Sequence, residues 1–261
     1  MKSCLYGINE YIGGYAPGEV AILAGRPGTG KTALALCEAG YFISKGHPGG
    51  IFSLEMRSAR LALRFFSQRA NVDAQRFRDG KFTGEDMGKV LEGTDWLAKK
   101  DDMLRFWDRP GLTPQELRAQ VRKWKREIGI QWIIIDYIQK LRGDRRYSSR
   151  EQEVADISRG IVEAAGEYDV AVLCLAQLNR EADKSKTPLL SQLRESGAIE
   201  ADADIITFIV PWSALDKGES VEVQIDVAKG RSSKTGSLKA WYRRRYLRFE
   251  NQAYQRQGEG E

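Results

Sequence analysis

Residues Gly25 to Thr32 read G-R-P-G-T-G-K-T, which satisfies the pattern G-x-x-x-x-G-K-[ST]. That pattern dictates its own surroundings. Successive backbone N–H groups and the first turn of the following helix must converge on phosphate oxygens, so the segment stands between a strand and a helix. Gly28 and Gly30 let the backbone approach closely, Lys31 carries positive charge to the β- and γ-phosphates, and the Thr32 hydroxyl suits Mg²⁺. The flanks agree: "EVAILAG" (19–25) is a continuous apolar run, and Lys31 to about Ser44 reads as a helix. Gly25, Arg26, Pro27, Gly28, Thr29, Gly30, Lys31, Thr32 and Ala33 are therefore read as a segment that binds a nucleoside triphosphate. The loop alone leaves open whether the nucleotide serves a kinase, a motor, a recombinase or a switch.

Further apolar runs follow at "GIFSLE" (50–55), "MLRFWD" (103–108), "WIIIDY" (132–137), "VAVLCLA" (170–176) and "DIITFIV" (204–210). Strands buried on both faces of a parallel sheet look like this. Helices lie between them. Thr113, Pro114 and Glu116 form an N-cap, a first-turn proline and a capping-box acid, and Leu117, Val121, Trp124 and Ile128 share one face. Ser148-Ser149-Arg150-Glu151 reads as a second capping box, continued by a stripe of Val154, Ile157, Ile161 and Ala165. After residue 218 the period changes. "ESVEVQIDV" (219–227) and "GSLKAWYR" (236–243) alternate apolar and polar, as half-exposed antiparallel strands joined by "AKGRSSKT" do. The reading is one α/β domain over 1–251, with a mostly parallel central sheet flanked by helices and closed by a C-terminal antiparallel β-ribbon, and a flexible tail over 252–261.

Composition narrows the function class only a little. The net charge is +5, from 41 Lys+Arg against 36 Asp+Glu, which by itself does not demand a nucleic-acid partner. Cys4, Cys37 and Cys174 contain no C-x-x-C pair, and His47 is the single histidine, so a structural zinc site is not expected. The cysteines read as small side chains in a reducing cytosol. No uninterrupted apolar run reaches the roughly 18 residues of a membrane span. The N-terminus is too short and polar for a signal peptide, so the expectation is a cytoplasmic protein.

Three more residues carry candidate chemistry, each with a plain alternative. Asp136 ends the strand "WIIID", as a Walker B carboxylate does; an acid at a strand end can also be incidental. Glu55 ends "IFSLE" at the carboxyl edge of the sheet, where it faces the nucleotide crevice and can polarise a water; it also suits a helix start. Gln177 ends "CLAQ", where a neutral donor can sense the γ-phosphate, or where a strand simply surfaces.

The segments G-R-P-G-T-G-K-T, "FSLEM", "GLTPQELR", "IIIDYIQ", "LAQLNR", "LRESGAIEADAD" and "AKGR" occur in this order. Together they resemble the RecA-like motor domain of DnaB-type replicative DNA helicases, from about Tyr6 to Asn251. "SLEM" and "LRESG-IE-DAD" separate that family from RecA recombinases and clock-type ATPases. The resemblance implies a RecA-like P-loop NTPase fold, with ATP as substrate and Mg²⁺ held through Thr32 and Asp136. It makes Glu55 the catalytic base and Gln177 the γ-phosphate sensor. It sends Lys229 and Arg231 into the ATP site of a neighbouring subunit. Here K-G-R-S-S-K-T-G replaces the family's K-x-R-N-G, so Lys234 competes for the finger role, with Arg231 preferred. The "RESG" loop (Arg194, Glu195, Gly197) is implied to hold single-stranded DNA. The basic loop at 140–150, with Arg142, Arg145 and Arg146, either joins that channel or is a solvated surface loop. The resemblance further implies a homo-oligomeric, hexameric ring moving 5′ to 3′, with a primase or a helicase loader as possible partners. Family members usually carry an N-terminal helical collar, and this sequence begins almost at the motor domain.

Overall fold

Strands that are apolar on both faces need helices on both sides of the sheet. The computed structural model of the chain describes residues 1–179, 188–193, 197–210 and 218–252, and it has that layout. The first half runs α1 (Tyr6–Ile12), β1 (Val20–Gly25), α2 (Lys31–Ser44), β2 (Gly49–Ser53), α3 (Ser58–Ala70), α4 (Ala74–Asp79), α5 (Gly84–Ala98) and β3 (Leu104–Trp107). The second half runs α6 (Pro114–Ile128), β4 (Trp132–Asp136), α7 (Arg150–Tyr168), β5 (Ala171–Gln177), α8 (Gly197–Asp202), β6 (Ile205–Ile209), β7 (Ser220–Gly230), β8 (Gly236–Arg243) and β9 (Arg248–Asn251). The strands form one sheet in the order β3-β2-β4-β5-β1-β6-β7-β8-β9. Pairing is parallel from β3 to β6 and antiparallel from β6 to β9.

The two-residue period of β1 divides the core. Ala21 and Leu23 point into one layer with Leu34 and Phe42 of α2 and Phe65 of α3. Val20, Ile22 and Ala24 point into the other, with Leu117 and Val121 of α6 and Ile157 and Ile161 of α7. Phe42 against Trp132 (5.5 Å between centroids) and Phe52 against Trp124 (4.7 Å) fill the two layers. Cys174 is buried in β5, and all three thiols are free.

The expected C-terminal antiparallel ribbon is present: β7 pairs with β6, so the hairpin extends the central sheet, and β9 adds a further strand. Other expectations need correction. Strand β7 runs on to Gly230, so Lys229 lies in the strand rather than in a loop. Helix α6 has its expected capping box, Thr113 with Glu116. Helix α7 starts one residue later than expected. Its N-cap is Ser149, which accepts from the Gln152 N–H, while Ser148 donates its hydroxyl to Gln152 Oε1. Either serine fits the pattern, and the stripe of Val154 and Ile157 is buried as expected. Helices α3, α4 and α5 fill the stretch after Glu55 that the motifs leave unassigned. The expected tail lies, apart from Gln252, outside the described residues.

Candidate active site

Strand β1 sits where the sheet changes direction of growth, between β5 and β6, with Gln177 and Ile209 opposite Gly25. A crevice opens at the carboxyl ends of strands at such a point. The phosphate loop turns there. Gly28 (φ 81°) and Gly30 (φ 85°) adopt left-handed conformations that favour glycine. A Cβ on Gly30 would also press on the Phe249 ring, at 3.0 Å. The loop closes on itself through the Thr29 hydroxyl, which donates to the Arg26 carbonyl at 2.8 Å. No side chain caps the start of α2, so the N–H groups of its first turn face the crevice with no partner from a capping side chain.

The side chains at this edge are pre-arranged. Lys31 is 9% exposed, and its ammonium donates to the carbonyls of Gly25 and Arg26, both at 2.8 Å. Burial pulls its pKa down to about 8, against the opposing pull of Asp136 and Glu55. Thr32 donates its hydroxyl to Asp136 Oδ2 at 2.8 Å. Asp136 is 4% exposed; burial raises its pKa, the Thr32 hydrogen bond and the charges of Lys31 and Arg64 oppose the rise, and Glu55 adds to it.

These groups line one cavity of about 350 Å³, together with Glu55 and Gln177. Glu55 lies two residues beyond the end of β2, not at its last position. The Ser53 hydroxyl donates to the Met56 carbonyl at 2.5 Å and turns the chain, leaving the Glu55 carboxylate exposed at the mouth. Gln177 is held from behind by Gln139, whose side chain accepts from the Gln177 N–H (3.3 Å) and donates to its carbonyl (3.2 Å). The motif reading missed Gln139, Arg64, Tyr242 and Leu247. Gln139 has a signal, three residues past Asp136 in "DYIQ". Arg64 and Leu247 have none, because α3 and the turn into β9 carry no motif.

Lys229 and Arg231 are absent from this cavity. Gly230 pairs with Ile205 while Gly25 pairs with Ile209, so the two cations belong to the opposite edge of the sheet, roughly 13 Å away at the rise of a β-strand. There Lys229 donates to the carbonyls of Glu200 and Ala201, and Arg231 to the Ala201 carbonyl (2.6 Å) and to Asp204 Oδ1 (3.3 Å). Both cations thus serve the orphan carbonyls at the end of α8, where the helix dipole favours positive charge. Lys234 lies farther on, with its backbone N–H donating to the Tyr11 carbonyl.

The expected DNA contacts are only partly visible. Arg194 and Glu195 lie outside the described residues. Gly197 is the exposed first residue of α8. Arg142 and Arg146 are exposed in the loop after β4, and Arg145 pairs with Asp156 at 3.4 Å while lying over the Tyr147 ring.

The family model for the DnaB-like helicase C-terminal domain matches residues 1–251. The chain belongs to that family. The replicative DNA helicase DnaC of Bacillus subtilis is 36% identical over 250 residues, which is 94% of this chain and 55% of the relative. The replicative DNA helicase DnaB of Leifsonia xyli is 37% identical over 251 residues, covering 94% of this chain and 54% of the relative. The chain therefore spans about half the length of the curated relatives it matches. A solved DnaB-like replicative helicase, described with its interactions with primase, superposes with a TM-score of 0.89 at 29% identity, over 96% of this chain and 61% of that one. The ATPase domain of G40P gives the same TM-score at 28% identity, over 96% of this chain and 90% of that domain. The fold of this DnaB-like domain is thus RecA-like. No helix among its described residues is long and apolar enough to cross a membrane.

Proposed function

We propose that the chain is the motor of a DNA helicase, hydrolysing ATP to move along single-stranded DNA, 5′ to 3′, within a homo-hexameric ring. The observation that carries the reading is the grouping of Lys31, Thr32, Glu55, Asp136 and Gln177 around one cavity at the phosphate loop. Backbone N–H groups of the loop and of the first turn of α2 receive the β- and γ-phosphates. The Lys31 ammonium exchanges its two carbonyl acceptors for phosphate oxygens. Glu55, exposed at the mouth, takes a proton from the attacking water. Gln177, fixed by Gln139, reports the presence of the γ-phosphate through β5.

The oxygen pair of Thr32 and Asp136, 2.8 Å apart with the carboxylate buried, suits a hard divalent cation that keeps phosphate and water as its other ligands. These two residues would hold Mg²⁺, which supplies charge neutralisation at the phosphate oxygens. Lys229 and Arg231 act on the ATP of a neighbouring copy; their distance from their own phosphate loop supports this. Arg142, Arg145 and Arg146, with Arg194 and the backbone at Gly197, contact the phosphates of the strand without reading bases, and Glu195 takes part through its backbone or by orienting an arginine. A primase or loader as partner, and a cytoplasmic location, belong to the same proposal.

The test is ATP hydrolysis with and without single strands, alongside strand separation on a forked duplex. The reading expects stimulation by single strands and unwinding that Glu55→Gln abolishes. Stimulated hydrolysis without separation at any protein concentration would instead identify a RecA-fold ATPase of the recombinase or clock type.

A further inference from the structure

A second, larger depression adjoins the nucleotide cavity and is chemically unlike it. It measures about 1060 Å³ and lies between α3, α4 and the turn from β8 to β9. Five arginines line it: Arg60, Arg64, Arg78, Arg244 and Arg245. Its two carboxylates, Asp73 and Glu219, both face Arg245, at 3.0 and 3.6 Å. Among the described residues, Arg78 pairs only with its chain neighbour Asp79, outside the groove lining. Arg60 and Arg64 meet no carboxylate at ion-pair distance among the described residues. They stand at i and i+4 on α3, with Arg57 at its N-cap one turn earlier. Like charges at this spacing destabilise a helix by a few tenths of a kcal/mol, and an anion lying across them would relieve that repulsion.

The groove floor says which anion. Leu63 is 40% exposed between the two arginines, and Phe77, packed edge-on against Phe82, adds an aromatic surface. Guanidinium planes beside flat apolar surface accept phosphates and stacked bases together.

We propose that this groove is a second phosphate-binding site, separate from the phosphate loop, and that it takes up a segment of single-stranded nucleic acid. Its lining includes none of Arg142, Arg145, Arg146 and Gly197, and the proposal rests on the helicase reading only for the identity of the ligand. Arg64 and Leu247 line both the groove and the nucleotide cavity, so a strand held here touches the wall of the ATP site.

The experiment uses a fluorescent oligothymidylate and follows binding by anisotropy across a salt series. The variants are the double substitution R60Q/R78Q, its charge-retaining counterpart R60K/R78K, and K123Q/R126Q on α6 as a control for net charge. Two lost phosphate contacts lower the log–log salt slope by about 1.4 and the low-salt affinity by about tenfold. The lysine pair restores most of both, the α6 control changes neither, and affinity for a fluorescent ATP analogue stays within about twofold. Wild-type slope and affinity in R60Q/R78Q overturn the proposal, as does an equal loss in the α6 control. Loss of the ATP analogue instead of the strand assigns the groove to the nucleotide. If R60Q/R78Q binds normally while substitutions at Arg142 and Arg146 abolish strand binding, the groove fails and the helicase reading stands. A wild-type chain that binds no oligonucleotide sinks both.

Discussion

The two edges of the central sheet are built on opposite plans. At the carboxyl edge, Lys31 and Asp136 are buried, Lys31 bonded to carbonyls of the phosphate loop and Asp136 to the Thr32 hydroxyl. At the amino edge, Lys229 and Arg231 are long, partly exposed cations resting on the last carbonyls of α8. The first edge is preorganised for a ligand; the second holds donors that a better acceptor can take away. On the proposed function, one chain contains both halves of a hydrolysis site and keeps them on opposite sides of the domain. That difference would explain why such a chain acts in company: on that reading each edge is completed by the other edge of a second copy.

The strongest way to break this contrast is Arg231→Ala. A finger supplied from a neighbour is worth about 10³–10⁵ in turnover, so hydrolysis is expected to fall by at least about 10³ with little change in nucleotide affinity. Mixing makes the test specific. Arg231→Ala and Glu55→Gln are each inactive alone, yet a mixture pairs an intact finger with an intact base at some interfaces and regains activity. A mixture as dead as its parts would place both roles in one chain. Glu55→Gln by itself is expected to cost about 10²–10⁴ in turnover, the usual range for a general base, with nucleotide binding retained. Unchanged turnover would return Glu55 to the role of a solvated helix-start acid.

A third test asks whether burial alone marks function. Glu38 lies on α2, two turns behind Lys31, and is 1% exposed. It accepts from the Ser3 hydroxyl (2.5 Å), the Cys4 N–H (2.8 Å) and the Tyr15 hydroxyl (3.4 Å), which ties the N-terminal segment to the phosphate-loop helix. Burial, only partly offset by these bonds, pushes its pKa up to about 7 from 4.5. Between those values the folded state holds a proton that the unfolded state has released, so this group makes stability fall as pH rises from about 4.5 to 7. Glu38→Gln is expected to flatten that dependence, on the order of 2 kcal/mol across the window, in denaturant titrations at several pH values. Nucleotide turnover is expected to change little. A flat profile in the parent chain would show that Glu38 is charged throughout.

How much of this was legible in the sequence follows the same division. The carboxyl edge was readable because its chemistry is local: Lys31 and Thr32 sit inside one loop motif, and Asp136 and Gln177 end apolar strands that only a covered parallel sheet explains. The alternation after residue 218 revealed β7 and β8 but not their attachment to β6, since register between distant segments leaves no period in either one. Arg64 and Tyr242 reach the cavity from α3 and β8, and nothing local distinguishes them from any surface arginine or strand tyrosine. Gln139 acts through Gln177, a relation that exists only once β4 and β5 lie side by side. The arginine groove is likewise an encounter of three separate segments. Glu38 looked like an ordinary helix acid, because the donors that meet it come from the first fifteen residues, which carry no motif.

The smallest expected effect probes how firmly the amino edge holds its cations. Asp204 accepts from the Val20 N–H at 2.9 Å through one carboxylate oxygen and pairs with Arg231 at 3.3 Å through the other. Asp204→Asn keeps an oxygen for Val20 and removes the charge that retains Arg231. A half-exposed pair of this kind contributes about 0.2–1 kcal/mol. Freed by that amount, Arg231 should engage the neighbouring site more readily, lowering the protein concentration needed for half-maximal hydrolysis by about threefold. The sign decides between two roles. If Asp204 merely holds the resting cation, the substitution helps; if it aims the guanidinium across the interface, the same substitution hinders, and maximal turnover drops instead. Val20 begins the strand that ends at the phosphate loop, so a drop would also mean that the finger of one site is aligned by the strand that carries the next.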